Sequence, residues 1–313
     1  MKLKHLQALQ AVAESGSIQE ASRKLCLTQP AVSRTIREFE GELGIPLLIR
    51  TARGATLTDY ATQIIKRARA IDREVSRIYE DVEATRGIFN GRLSIGLTAP
   101  TATAALVETI AEFANARPNV QLKIIELRTQ QIEEGLRDGS IDIGVLTHFS
   151  DNDVFPYGNE MLYQANMMLS ISDRYKGPVE LTIAELQQLP WLTFDLILDS
   201  NSFLTTLFES QGLAMPERII RSSSAMMYMG LARRLGAIGI WNEAASPFLQ
   251  KFFDDGTMRR IDVKEPMPSM SVRLAYADRD LMTAPARDFA LWLRNRIEAD
   301  RLIFDPQDSI FGS

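Results

Sequence analysis

The sequence predicts an α plus α/β chain, with an N-terminal winged helix-turn-helix, one long linker helix and a C-terminal body of two α/β lobes. Two helix-start signals at Ser17 and Thr28, an apolar seam from Ala61 to Val82, and the alternation of short apolar runs with amphipathic stretches from Arg92 onward predict it.

The first helix is expected over residues 2–14, where Leu3, Leu6, Leu9 and Val12 recur every three positions and Gly16 follows as a stop. Ser17 with Glu20 reads as a capping box, and Ile18, Ala21 and Leu25 continue at helical spacing. The pattern breaks at Leu25-Cys26-Leu27. Thr28 then offers a second N-cap, with Pro30 in the first turn, where its missing N–H costs nothing. Two helices across so short a turn make a helix-turn-helix. In the second of them Ala31, Val32, Ile36, Phe39 and Leu43 supply the inward stripe, leaving Gln29, Ser33, Arg34 and Arg37 outward. An amide pairs with adenine, an arginine grips guanine or phosphate, and a serine lets the backbone approach, so this face suits a DNA major groove.

An ordinary solvated helix would carry a similar polar face; the continuation distinguishes them. Leu47 to Arg50 is a short apolar run, Ala52-Arg53-Gly54 a glycine turn and Ala55 to Thr58 a returning strand, which together form a small basic hairpin, a wing. The DNA-binding candidates are Thr28, Gln29, Pro30, Ser33, Arg34 and Arg37 on the helix, and Arg50, Arg53 and Thr56 on the wing.

The stretch TQPAVSRTIREFEGELGIPLLIR followed by GATLT closely resembles the LysR-type transcriptional regulators. It departs from them at Tyr60-Ala61, where Ala-Gly is usual, and at Ile49, where Phe is common nearby. The resemblance implies promoter DNA as partner, a linker-helix dimer that assembles to a homotetramer, contact with RNA polymerase, and an effector domain of periplasmic-binding-protein architecture. The expected domains are residues 1–57, the winged helix-turn-helix; 58–87, the linker; 88–302, the effector domain; and a tail, 303–313. Lobe I would take about 92–163 and 269–300, and lobe II about 164–268.

Charge supports a division of labour. Residues 1–70 hold eleven Lys and Arg against six Asp and Glu, a net +5, whereas the whole chain carries −5, so the remainder carries −10. A basic end on an acidic body directs phosphate to one place. Hydrophobic residues make up 45% of the chain without any run near the eighteen or so that a membrane span needs. The N-terminus does not read as a secretory signal and Cys26 is the single cysteine, so a cytoplasmic protein without disulfides is expected, with no membrane partner. His5 and Cys26 have no companion nearby in sequence for a metal or redox site, and neither metal nor cofactor is expected.

From Thr58 a helix is expected to run to about Arg86, since Gly87 is the first glycine it meets. Ala61, Ile64, Ala68, Ile71, Val75, Ile78 and Val82 alternate spacings of three and four, a heptad seam between charged flanks. Ile64, Ala68, Ile71, Val75 and Ile78 are therefore the dimerisation candidates.

Beyond it, strands are expected at 92–97, 120–127 and 141–146 with helices at 101–116 and 130–138. Further strands at 165–172, 191–194, 217–221, 237–241 and 270–277 alternate with helices at 202–211, 225–235 and 284–298. This alternation predicts parallel, doubly wound sheets, in two lobes rather than one; Pro266 and Pro268 mark one crossing between them, and the other, near Tyr163-Gln164, has no local signal and is what the resemblance implies. Ligands bind beyond the carboxyl ends of such strands, at helix N-termini. The candidates there are Thr98, Thr101, Thr129, Thr147, Phe194, Ser200, Ser223, Ser224 and Trp241, of which the family resemblance favours Thr129 and the serines; each hydroxyl could equally be a helix cap. Trp241-Asn242 stands where the family often has a proline, and Met226 to Met229 read as core with one member free to face the cleft. The hydroxyl-rich loops favour a small carboxylate or similar polar anion, although Arg128 is the one basic residue among them and Asp195 and Asp199 would repel an anion if they faced inward. An aromatic or neutral polar effector, or none at all, stays open. Only His5 and His148 exist, and no nucleophile elbow, phosphate loop or paired-histidine motif occurs, so binding without turnover is expected; a histidine-free enzyme and a purely protein-binding N-terminal unit are the competing readings.

Overall fold

Short-range signals set the first elements. In the computed structural model, which describes residues 1–51, 54–86, 90–149, 155–195 and 202–304, α1 (Leu3–Ser15) ends where Gly16 takes φ 70°, a conformation other residues resist. Helix α2 (Ile18–Lys24) starts at Ser17, whose hydroxyl accepts from Glu20 N–H at 3.1 Å. The expected capping box is only half made, because the Glu20 carboxylate accepts from Arg23 at 2.6 Å instead. A turn follows in which Cys26 has φ 54°, and Thr28 caps α3 (Gln29–Leu43) with Pro30 in the first turn. Strands β1 (Leu48–Thr51) and β2 (Gly54–Leu57) pair antiparallel, Leu48 opposite Leu57. One carboxylate oxygen of Glu40 accepts from the N–H groups of Leu47 (2.8 Å) and Leu48 (3.1 Å), tying the hairpin to α3.

Two compact units make up the chain: Met1–Val82 with Asp138–Ser140, and Glu83–Arg137 with Ile141–Ser313. The core of the first gathers Leu6, Leu9, Val12, Val32, Ile36, Phe39 and Leu47, with the buried His5 ring 5.4 Å from that of Phe39. Three expected stripe residues are not in that core, the half-buried Ala31 among them. Leu43 is exposed in the last turn of α3, and Leu3 is exposed at the start of α1.

Helix α4 (Asp59–Ala84) begins after Thr58, whose hydroxyl accepts from Ala61 N–H at 3.2 Å. Its seam divides. Ala61, Ile65 and Ala68 are buried in the unit's own core with Ile64 packed against them, so Ala68 offers no free face. From Ile71 onward the apolar side chains emerge: Ile78 is 64% exposed, Tyr79 70% and Val82 47%.

The second unit contains two sheets, and both are mixed rather than parallel. The first has the order β4-β3-β5-β13-β6, from β3 (Gly91–Leu97), β4 (Val120–Glu126), β5 (Ile143–His148), β6 (Gly158–Ala165) and β13 (Met270–Tyr276). Strands β3, β4 and β5 are parallel, but β13 runs antiparallel to both β5 and β6. The second has the order β10-β9-β11-β7-β12-β8, from β7 (Met167–Ser172), β8 (Glu180–Leu181), β9 (Trp191–Thr193), β10 (Ile219–Arg221), β11 (Ile238–Asn242) and β12 (Met258–Val263). Here β7 is antiparallel to β11 and β12. The reversals have one cause: the chain passes between sheets directly, from β6 to β7 through Asn166 alone and from β12 to β13, and a strand that enters from the other sheet needs no right-handed helical crossover.

Helices cover these sheets. Against the first, α5 (Ala104–Ala116) and α11 (Ala284–Phe304) lie together, with the Phe113 and Phe289 rings edge to face at 5.3 Å. Helix α6 (Thr129–Asp138) rests on a separate cluster with Ile141, Leu146 and Ala275. A Cβ on Gly144 would lie 2.7 Å from Ile132, so glycine lets α6 come this near and sets the height of its N-terminus. On the second sheet α7 (Ile183–Gln187) and α8 (Phe203–Ser210) join the core with Trp191, whereas α9 (Ala225–Ala232) and α10 (Ser246–Asp254) contribute to the opposite cluster with Leu192, Tyr228 and Leu249. Strands β6, β8 and β12 and helices α7 and α10 were not expected from sequence.

Candidate functional site

On α3 the outward row is laid out as the spacing requires. Thr28, Gln29, Pro30, Arg34 and Arg37 are exposed and Ser33 is half-buried, while Val32, Ile36 and Phe39 on the opposite side are completely buried. Thr28 spends its hydroxyl on the cap, accepting from Ala31 N–H at 3.4 Å. Arg34 Nε donates to Glu38 at 2.8 Å, a surface pair whose hydrogen bond holds the Glu38 carboxyl below its ordinary range. Exposed pairs of this kind are weak, so a phosphate or a base edge can take the guanidinium over. On the wing, Arg50 lies opposite Ala55, and the exposed Thr56 donates to Ile49 O at 3.3 Å. Arg53 lies outside the described residues. The two departures noted in the sequence are peripheral to this row: Ile49 and Tyr60 are exposed, and Ala61 is buried in the core.

The second candidate region is a cavity of about 1210 Å³ within the second unit. Seven of the nine residues expected there line it: Thr98, Thr129, Thr147, Phe194, Ser223, Ser224 and Trp241. They come from both sheets, at the carboxyl ends of β3, β5, β9 and β11 and at the N-termini of α6 and α9. Thr98 and Thr147 share a hydrogen bond at 3.2 Å, which bridges β3 and β5 at the cavity floor. Thr101 is a correction. Its side chain is buried and donates to Thr98 O at 2.7 Å, closing the short 3₁₀ turn instead of facing the cavity. Ser200 and Asp199 lie outside the described residues.

Ser224 caps α9, accepting from Met227 N–H at 3.3 Å, and still lines the cavity, so capping and lining coincide. Of the four residues Met226 to Met229, Met229 faces the cavity. Tyr228 is core: its hydroxyl accepts from Ile240 N–H at 2.7 Å, and burial pushes its pKa well up. Phe194 stacks on Tyr228 with ring centroids 3.9 Å apart, and Trp241 meets Tyr228 edge to face at 5.0 Å.

Residues outside the expected set complete the wall. Phe149, Phe203, Met167 and Phe248 add apolar surface, and Glu126, Glu133, Asp195 and Arg128 add charge. Asn242 joins the two sheets across the cavity, donating to Pro100 O at 3.0 Å while its carbonyl accepts from Ala244 N–H at 3.0 Å. No local signal marks Phe203 or Phe248, because which helical residues face a cleft depends on how each helix is rotated on its sheet. Among the described residues no group of three His, Cys, Asp or Glu side chains could hold a metal, and no helix is long and apolar enough to cross a membrane.

Known proteins share this arrangement. A family model described as bacterial regulatory helix-turn-helix protein, lysR family, matches residues 3–62, and one described as LysR substrate binding domain matches residues 86–298. The HTH-type transcriptional regulator TdcA of Escherichia coli is 25% identical over 230 residues, 74% of this chain and 73% of that one. The probable HTH-type transcriptional regulator LrrA of Synechococcus elongatus is 36% identical over 146 residues, 47% and 50% of the two chains. Among solved structures, full-length CbnR complexed with its target DNA superposes with TM-score 0.66 at 19% identity, covering 95% of this chain and all of that one. ArgP from Mycobacterium tuberculosis gives TM-score 0.66 at 17% identity over 94% and 96%. At these identities the two structures speak for the fold.

Proposed function

The chain belongs to the LysR family of transcriptional regulators, with a DNA-binding helix-turn-helix and an effector-binding domain, and from that premise we propose how its own residues divide the work. Helix α3 enters the major groove with Gln29, Ser33, Arg34 and Arg37, while Thr28 and Pro30 at its N-terminus and Arg50, Arg53 and Thr56 of the wing meet the backbone and the neighbouring groove of promoter DNA. The observation that carries this is the two-sidedness of α3: three fully buried apolar residues fix its rotation, so the polar row has one direction to face.

Arg34→Ala is expected to weaken specific binding by about 1–3 kcal/mol, roughly fivefold to 150-fold, and to flatten its dependence on salt. Fluorescence anisotropy with a promoter fragment, chosen by genome-wide mapping of bound DNA, measures it. Unchanged affinity would remove α3 as the reading surface.

The exposed part of the α4 seam, Ile71 to Val82, pairs with a second copy, because an apolar stripe at heptad spacing on a solvated helix is stabilised by burial in a partner. Dimers then pair into tetramers, place recognition helices in successive grooves and reach RNA polymerase in the cytoplasm. Charging the stripe with Ile71→Glu and Ile78→Glu is expected to halve the particle mass measured by light scattering; an unchanged mass would locate the dimer contact elsewhere. A small molecule in the cavity, with an apolar or aromatic body against Phe149, Phe194 and Trp241, alters the approach of the two sheets and thereby half-site spacing or DNA bending. The relatives are regulators and not enzymes, in keeping with binding without turnover.

A further inference from the structure

The charge of the cavity wall is unlike what a carboxylate ligand would need. Among the described residues three carboxylates line it, those of Glu126, Glu133 and Asp195, against one guanidinium, that of Arg128. Several side-chain donors of the wall already have partners: Trp241 Nε1 donates to Ser170 at 2.8 Å, Asn242 Nδ2 to Pro100 O at 3.0 Å, and Arg128 Nε to Gln131 at 3.4 Å.

The position of Asp195 decides the point. Strands β9 and β10 are parallel with Thr193 opposite Arg221, and Ser222 N–H donates to Thr193 O at 3.0 Å. Phe194-Asp195 and Ser223-Ser224 therefore leave neighbouring strands at the same end, and Asp195 lines the cavity together with the two serines that precede α9. Helix N-termini attract anions; here the protein supplies its own. Thr193 orients that carboxylate, its hydroxyl donating to Asp195 Oδ2 at 3.3 Å and accepting from Asp195 N–H at 3.1 Å. Beside it the Phe194 ring, backed by Tyr228, offers an aromatic face, and Asp195's charge is felt at Tyr228, whose hydroxyl is raised by burial first and by that charge as well. At the opposite sheet Glu126 has its carboxyl raised by lost hydration.

We propose that the effector is a cation, an ammonium or amidinium on a small apolar or aromatic body, whose charged end sits against Asp195 and the Phe194 ring. This rests on the reading of the cavity as the effector site and specifies its ligand class.

The test uses the full chain and three probes of one shape, benzylamine, benzyl alcohol and benzoate, titrated calorimetrically. Benzylamine is expected to bind at least about ten times more tightly than either of the others, a difference that one charge-assisted contact supplies. Asp195→Asn is expected to remove that preference and Asp195→Glu to retain part of it, with the thermal unfolding of each full-chain variant followed as the control for folding of the unit that holds the cavity. Tighter binding of benzoate, or a benzylamine preference that survives Asp195→Asn, overturns the charge assignment and leaves the effector cavity in place. Binding of none of the three by a protein that still binds DNA overturns both.

Discussion

Phe39→Ala is expected to cost the N-terminal unit about 3–5 kcal/mol and to abolish DNA binding at physiological temperature. Phe39 is completely buried and packs with Leu9, Val12, Val32, Ile36 and Leu47, residues of α1, of α3 and of the segment leading into the wing. Truncation leaves a cavity where these elements meet, and a rigid α3 cannot close it without tilting the outward row. A chemical-denaturation midpoint, read beside the DNA affinity of the same sample, measures both effects. Wild-type affinity combined with a loss under about 1 kcal/mol would mean that the unit's stability resides elsewhere.

Trp191→Ala is the second large effect, again about 3–5 kcal/mol, in the unit that holds the cavity. The indole is fully buried, meets Phe208 edge to face at 5.5 Å, and donates from Nε1 to Leu186 O at 2.9 Å. Alanine removes the packing and the indole donor to that carbonyl, which keeps Leu189 N–H at 3.1 Å. Because β9 runs directly from Trp191 to Thr193 and on to Phe194 and Asp195, loosening its start should also loosen the cavity wall. Ligand affinity is expected to fall along with the melting temperature, whereas unchanged ligand affinity in a destabilised variant would show that the cavity wall does not depend on the start of β9.

Much of the DNA-reading unit was legible because its signals are local. Ser17, Thr28 and Gly16 act on backbone groups within about four residues, and a helix's buried face follows from spacing alone, as Val32, Ile36 and Phe39 show. Burial at the end of a stripe was less legible. Leu43 has the right spacing, but its side chain lies on the exposed side of the last turn of α3, and the α4 seam is uniform in sequence although Ala61 and Ala68 belong to one core and Ile78 to solvent. For the cavity, hydroxyls before helices were readable and seven of nine residues converge. Thr101 was not, since a threonine that closes its own turn looks the same in sequence as one that faces a ligand.

By itself the sequence determined the helix-turn-helix, the wing, the long linker helix, the alternation that builds two lobes and the loops that point at a cleft. All of these follow from propensity, capping and periodicity over a few residues. Tertiary structure alone decided that both sheets are mixed, that β6 and β12 exist, that Tyr228 is core while Met229 faces the cavity, and that Asp195 lines the same cavity as Ser223 and Ser224. Strand order and side-chain orientation are set by contacts between residues far apart in the chain, such as Leu274 beside Val145 and Glu160, and no window of neighbouring residues contains that information.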